Sequence, residues 1–308
     1  MPSSPIAVLG EALVDEFHDG PVPGGAPFNV ARSLAGLGVP TLFISRIGTD
    51  DANGRIVRDS ACRYGLTEQG LQRDPQRATG RVSVHAMPSG GHRFEIHGNA
   101  AWDHLDAAPA RAALATFQPG LLYFGSLAQR HAVSRAAIRG LVKGHAGLRL
   151  LDLNLRPGTD MPLLAAEALM LADWVKLNDE ELARLVDWFG DGAKAESAQI
   201  AALMDRFALQ RLVLTCGADG WRFYSPGGAL LARGLGEPQP RVVDTVGAGD
   251  AFTALLLAGL ALGRDLPATL ALANRYAAFI CGLRGPLPAD PQALTPWRDA
   301  LQALPPSR

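Results

Sequence analysis

The chain of 308 residues is poor in cysteine, lysine and aromatic residues, and its charges almost cancel. The three cysteines, Cys62, Cys216 and Cys281, form no close pair, and no C-x-x-C spacing occurs. That excludes a disulfide framework and the common zinc spacings, and it suits a reducing cytosol. Twenty-nine basic against thirty acidic side chains leave a net charge of −1. The polybasic footprint expected of partners such as nucleic acid or anionic membranes is therefore missing. Ala251–Leu262, the most apolar later stretch, covers only about 12 residues and reads as a buried core helix rather than a membrane span. The N-terminus shows no basic n-region, so the expected compartment is the cytoplasm. No fixed-period repeat, low-complexity tract or G-x-x-x-x-G-K-S/T phosphate loop is present.

What remains is ample for a large buried core: 48% of residues are hydrophobic and 19% charged. Short apolar runs at Ile6–Leu9, Leu42–Ile47, Leu121–Phe124, Leu148–Leu153, Trp174–Leu177 and Leu212–Thr215 read as buried strands. Helical patterns separate them near Phe28–Leu37, Gly54–Tyr64, Val133–Lys143, Leu163–Leu171, Glu180–Trp188 and Ile200–Phe207. The alternation predicts an α/β fold, a mostly parallel central sheet with helices on both faces. After residue 244 the pattern turns helical, with Ala248–Leu262 and Pro267–Cys281 as the main elements. Two segments break the alternation. Leu13–Phe17 follows the first strand after three residues, and Arg81–Met87 with Arg93–His97 reads as a hairpin around Pro88–Gly91. Residues 1–308 are expected to form one domain, with a small β lid contributed by about 11–23 and 80–105. An ordinary edge hairpin is the plainer reading of the same strands.

The most informative segment is Asp244-Thr245-Val246-Gly247-Ala248-Gly249-Asp250-Ala251-Phe252, which opens a strongly apolar helix. Small residues at 247, 248 and 249 let backbone N–H groups approach a ligand where the helix dipole is positive, a setting that binds phosphate oxygens. The Asp250 carboxylate would repel such an anion. It makes sense where a hydroxyl attacking phosphorus must lose its proton. A Gly-rich turn followed by an acid favoured by the dipole is the competing reading. A dinucleotide site is disfavoured, because Gly247-Ala248-Gly249 lacks the third glycine of G-x-G-x-x-G and lies near the C-terminus.

This string resembles the C-terminal signature of the ribokinase-like, or PfkB, family of carbohydrate kinases. Gly24-Gly25-Ala26-Pro27-Phe28-Asn29-Val30-Ala31, with Ile47-Gly48-Thr49-Asp50-Asp51-Ala52-Asn53-Gly54, resembles its N-terminal signature. Gly10-Glu11-Ala12-Leu13-Val14-Asp15 and Asp152-Leu153-Asn154-Leu155-Arg156 are most similar to the bacterial fructokinase branch. Asn178-Asp179-Glu180-Glu181 fits the family's Asn-x-x-Glu motif, and Leu214–Gly220 its nucleotide-side turn. The resemblance covers nearly the whole chain.

It implies an ATP-dependent sugar kinase, with fructose as the expected acceptor, Mg2+ as cofactor and K+ as a further candidate ion. Asp250 would be the general base, and Gly247, Ala248 and Gly249 the anion hole. Arg156 would clamp phosphate oxygens. Asp15, Gly24, Gly25, Asn29, Asn154 and Trp102 would face the sugar, with His97, Asn99 and Asp103 as neighbours of that contact. Lys176, one of only three lysines, would reach the nucleotide phosphates. Asn178, Thr215, Gly217, Gly220 and Asn274 would line the nucleotide, Glu181 would organise magnesium through water, and carbonyls near Asp244 and Val246 would hold a monovalent cation. Plainer readings stand beside these: Asp15 as a strand-end acid, Asn29 as a helix residue, Asp152 as a buried structural acid, Asn178 as an N-cap, Trp102 as packing. Alternating side chains would put Asp152, Asn154 and Arg156 on one face of an extended segment. The Pro157-Gly158-Thr159-Asp160 loop that follows departs from the fructokinase pattern. A ribose, 2-keto-3-deoxygluconate or nucleoside kinase, or a sugar or nucleotide sensor without turnover, are the alternatives. A homodimer through the lid strands is the expected assembly.

Overall fold

The computed structural model describes residues 4–86, 92–156, 158–239 and 241–307. The expected hairpin turn Pro88–Gly91, with Met87 before it, lies outside the described residues, as does Pro157. In chain order the strands are β1 (Ile6–Leu9), β2 (Leu13–Phe17), β3 (Gly20–Gly24), β4 (Thr41–Gly48), β5 (Leu71–Asp74), β6 (Gly80–Ala86) and β7 (His92–Ile96). They continue with β8 (Leu121–Gly125), β9 (Leu148–Asp152), β10 (Trp174–Asn178), β11 (Arg211–Thr215), β12 (Trp221–Ser225) and β13 (Ala229–Gly234).

One sheet has nine strands in the order β13-β12-β11-β10-β9-β8-β1-β4-β5. From β5 to β11 all pairings are parallel, and the hairpin of β12 and β13 extends the sheet antiparallel. Alternate side chains of β1 go to opposite faces: Ile6 and Val8 join one core, Ala7 and Leu9 the other. Helices Ala26–Gly36, Ala248–Ala261 and Leu266–Cys281 pack on the first face, and Ala132–Lys143, Pro162–Leu169, Asp179–Phe189 and Glu196–Arg206 on the second. Cys216 is buried, Cys281 half-buried and Cys62 exposed, all as free thiols.

The chain runs from β1 outward to β4 and β5, then returns to build the other half from β8 onward. Strand order therefore reverses between β1 and β8, where open α/β sheets leave a crevice beyond the strands' carboxyl ends. Gly10 and Glu11 leave β1 at that point. The chain then enters the second sheet, of order β3-β2-β6-β7. There β2 pairs parallel with β6, Leu13 opposite Gly80, and antiparallel with β3, Asp15 opposite Val22.

Four strands escape the alternation reading. β3 is Gly-Pro-Val-Pro-Gly, and two prolines without an N–H are tolerated because it is an edge strand. The polar Leu71–Asp74 is one edge of the large sheet, and β12 and β13, which end it on the other side, form a hairpin across Pro226–Gly228. A helix at Ala107–Phe117 also goes unread because Pro109 interrupts its pattern. The proline falls in the first turn, where no intrahelical N–H bond is lost.

Candidate active site

The helix Ala248–Ala261 begins at Gly247, whose φ is +84°. A β-carbon there would lie 2.5 Å from Cα and Cβ of Pro286, so both backbone angle and space demand glycine. No side chain caps this helix start. The Ala248 N–H donates to Thr245 O at 3.3 Å, and the positive end of the helix dipole lies at this start.

Asp250 stands in that first turn. Its Oδ2 accepts a 2.7 Å hydrogen bond from Nδ2 of Asn29, which lies in the first turn of the helix Ala26–Gly36. Arg32 donates to the Asn29 Oδ1 at 2.5 Å. Since guanidinium only donates and carboxylate accepts, the Asn29 amide has one possible orientation. Arg32 is itself locked, by Pro23 O at 2.9 Å, Ser60 Oγ at 2.8 Å and the Phe28 ring 4.4 Å below. Burial lowers the Arg32 guanidinium to about 10, which leaves it charged at neutral pH. Burial pushes Asp250 up to about 6, with the Asn29 hydrogen bond pulling the other way. Sequence reasoning passed over Arg32, although its i,i+3 spacing from Asn29 puts both on one helix face.

Across the crevice the Asp15 carboxylate lies over Gly24, where any β-carbon would collide with its Oδ2. Burial pushes Asp15 up to about 6; Arg32 opposes this, and the charges of Asp250 and Asp244 add to it. Glu11, quoted in the Gly10–Asp15 motif but not assigned to the site, belongs to it. It is 2% exposed, and burial drives its carboxyl up to about 7 while its own N–H and that of Ala26 hold it. Its Oε2 has no hydrogen-bond partner among the described residues. Gly25 packs on it so closely that a β-carbon would sit 2.7 Å from the Glu11 carbonyl oxygen.

The segment after β9 corrects one expectation. Asp152 is the last strand residue, and Asn154 has φ of +42°, so the chain turns before Arg156 and no extended face carries all three residues. Asp152 points under the helix Ala248–Ala261, bonded to Lys176 Nζ at 3.2 Å and to Thr253 Oγ1 at 2.8 Å. Arg156 is exposed, and its charge acts on both Asp250 and Glu11. Glu181 explains the turn. Its Oε1 accepts the Leu155 N–H at 2.8 Å, while Oε2 accepts from Asn178 N and Asn178 Oδ1 accepts from Glu181 N, a capping box.

The remaining positions are more scattered. Thr215 Oγ1 donates to Leu177 O at 3.2 Å. Gly217 is exposed, whereas Gly220 is buried where any side chain would strike Gly234 and Leu235. Asn274 Nδ2 donates to Leu235 O at 2.9 Å, tying the helix Leu266–Cys281 to the end of β13. The Asp244 carboxylate accepts from Val246 N at 3.0 Å and Gly285 N at 3.3 Å, drawing both backbones into one turn. Trp102 is a second correction. It is 2% exposed, wedged against Gly80 with the Arg130 guanidinium 4.0 Å over its ring, and offers a sugar no surface. Its neighbours are likewise engaged: Asp103 pairs with Arg130 at 2.8 Å, His97 Nε2 meets Ser83 Oγ at 2.8 Å, and Asn99 Oδ1 meets His104 Nε2 at 3.0 Å.

The tertiary structure thus gathers Asp250, Asn29, Arg32, Asp152 and Lys176 around one helix start. It leaves Trp102 in the core. Such an arrangement can hold an anion on backbone amides and take a proton from a hydroxyl beside it. No helix among the described residues is long and apolar enough to cross a membrane.

Comparison with known proteins agrees with this chemistry. The chain is 34% identical over 315 residues to a fructokinase of Klebsiella pneumoniae, covering 96% of this chain and 98% of the relative. The crystal structure of a double-mutant fructokinase from Vibrio cholerae, with fructose, ADP and a potassium ion bound, superposes with a TM-score of 0.78 at 27% identity, covering 96% and 99% of the two chains. The aminoimidazole riboside kinase of Salmonella enterica, complexed with aminoimidazole riboside and an ATP analogue, gives 0.76 at 25% identity, covering 95% and 99%. Residues 9–293 match the profile of pfkB family carbohydrate kinases, and the chain belongs to that family of sugar phosphotransferases.

Proposed function

We propose that the protein transfers the γ-phosphate of ATP to a hydroxyl of a small sugar, with fructose as the acceptor. The observation that carries this reading is Asp250, oriented by Asn29 beside an uncapped helix start built from Gly247, Ala248 and Gly249. In the reaction the sugar oxygen bonds to the γ-phosphorus, the bond to the β–γ bridging oxygen breaks, and ADP leaves. The hydroxyl proton passes to Asp250. A pKa near 6 leaves Asp250 ionised at neutral pH and still a competent acceptor. In a loose transition state the proton leaves late, so orientation by Asn29 counts for more than basicity. The amides at 247–249 would stabilise the transferring phosphoryl charge, with Lys176 below and Arg156 from the exposed side. Asp15, Asn29 and Asn154 would grip the sugar, and Gly24 and Gly25 would let it approach. Thr215, Gly217, Gly220, Asn178 and Asn274 would line the nucleotide.

Among the described residues no group of three or more His, Cys, Asp or Glu side chains could hold a metal ion. Both Glu181 oxygens already accept backbone N–H groups. These residues fit a magnesium ion held chiefly by nucleotide phosphates and water, with Glu181 beside it. Bound there, magnesium would neutralise phosphate charge. The turn held by Asp244 would present the carbonyls of Asp244 and Val246 to a potassium ion. The second sheet would close over the sugar as a lid, and its edge strands β3 and β7 would pair copies into a homodimer.

A nucleoside acceptor is the second reading, favoured by the similarity to a riboside kinase. An assay of ADP release across hexoses, pentoses, keto-deoxy acids and nucleosides, with product mass spectrometry, decides between them. Fructose should give the highest kcat/KM. A nucleoside in first place would favour the second reading, and MgATP binding without turnover on any acceptor would sink both.

A further inference from the structure

A buried charged cluster lies beneath the first turn of the helix Ala248–Ala261. Lys176 rises from the central strand β10 and is 5% exposed; Asp152, from β9, is 1% exposed, and Thr253 is fully buried. The Lys176 Nζ lies 3.2 and 3.3 Å from the two Asp152 oxygens. Thr253 Oγ1 lies 2.8 Å from Asp152 Oδ2 and 3.0 Å from Gly249 O, so one hydroxyl proton serves two acceptors. A β-carbon at Gly249 would stand 3.2 Å from Nζ. The ammonium therefore abuts the backbone that carries the phosphate cradle, and with three donors it has capacity beyond Asp152. Stability does not account for the cluster, since apolar residues commonly replace a buried ion pair without loss.

We infer that Asp152 and Thr253 are positioning residues that keep Lys176 charged and aimed at the transferring phosphoryl group. The inference rests on the kinase reading above, which places Lys176 below the transferring phosphoryl group. Facing Lys176 are Asp152 on β9, Glu181 on the helix Asp179–Phe189 and Asp250, while Tyr123 on β8 and the exposed Arg156 stand near the same acids. Burial alone would lower the Lys176 pKa; the three carboxylates outweigh it and hold it above the ordinary lysine value. With Asp152 neutral, that balance tips toward burial and Lys176 loses its proton at lower pH.

The test measures kcat with fructose, or the panel's best acceptor, between about pH 6 and 10, with MgATP and MgADP affinities and thermal melts. Asp152→Asn should acquire an alkaline limb, losing about tenfold in kcat by about pH 9 where wild type stays level. Thr253→Val should slow kcat about tenfold with MgADP affinity unchanged, and Thr253→Ser should restore it. A folded Asp152→Asn without the limb overturns the inference, as does Thr253→Val at the wild-type rate or Thr253→Ser as slow as Thr253→Val. Should Asp152→Asn fail to fold, the Thr253 pair decides. A wild-type protein that neither binds MgATP nor phosphorylates any acceptor overturns the kinase reading and this inference together. An active wild type with unresponsive variants overturns this inference alone.

Discussion

The side-chain amide of Asn29 donates to the Asp250 carboxylate at 2.7 Å, across 221 positions of sequence. The contact joins the starts of two helices, Ala26–Gly36 and Ala248–Ala261, and makes the two sequence signatures one site. Arg32 decides its direction by occupying the Asn29 oxygen.

That contact sets a pH dependence. A base with a pKa of about 6 must be ionised to work, so kcat/KM should fall as pH drops through about 6. The Asn29 hydrogen bond favours the ionised form. Asn29→Leu removes it and should move the acid limb upward by about one pH unit. A pH–rate profile of wild type and variant reads the shift, and coincident acid limbs would remove Asn29 from this role.

Asp250→Asn keeps size and first-turn placement but removes the proton acceptor. Turnover should fall by roughly 10²–10⁴, while the melting temperature stays close to wild type. MgATP affinity should hold or improve slightly, because a negative charge leaves the phosphate site. A folded variant with nearly wild-type kcat contradicts the base assignment.

Asp15→Ala should raise KM for the sugar about tenfold or more with little change in MgATP affinity, since its carboxylate lies over Gly24 on the second sheet. Calorimetric titration of each ligand separates the two. Equal loss of both affinities would point to a folding defect.

Glu11 links the site to stability. Its carboxyl is raised from 4.5 to about 7 on folding, so the folded state binds the proton more tightly than the unfolded state. Stability is then greatest below about pH 4.5 for this group and is lost as pH rises through about 7, by about 3 kcal/mol in all. Glu11→Gln should raise the melting temperature at pH 8 and flatten its dependence on pH between about 4.5 and 7. An unchanged slope in a folded variant would contradict the assignment.

Two glycines of the cradle should respond differently to alanine. At Gly247 the φ of +84° and the Pro286 backbone leave no room, so Gly247→Ala should cost at least about 1–3 kcal/mol and abolish turnover. At Gly249 φ is ordinary and a β-carbon would stand 3.2 Å from Lys176 Nζ, a far milder crowding, so Gly249→Ala should keep its melting temperature and, by pressing on that ammonium, lose kcat. Comparable melts for the two variants would refute the contrast.

The sequence by itself determined the layered α/β fold, because strand-length apolar runs separated by amphipathic helices have few other ways to bury both faces. Ile6-Ala7-Val8-Leu9 shows this, each residue fully buried on a sheet covered from both sides. It also marked the helix start at Gly247 as a candidate phosphate cradle, because the left-handed φ there is a local backbone demand that only glycine meets without strain. Tertiary structure decided what depends on distant groups. The alternation of Asp152, Asn154 and Arg156 promised a shared face, but Glu181 captures the Leu155 N–H and turns the chain. Of the two readings of Trp102, sugar contact and packing, the tertiary structure takes packing, because Gly80 and Arg130 enclose the ring. Glu11 and Arg32 lie in or beside quoted motifs, but neither those motifs nor Thr253's surroundings in sequence disclose what the three side chains touch. Their chemistry comes from burial and from partners on other elements, and those arise only when β1, β8, β9 and β10 are assembled into one sheet under the helix Ala248–Ala261.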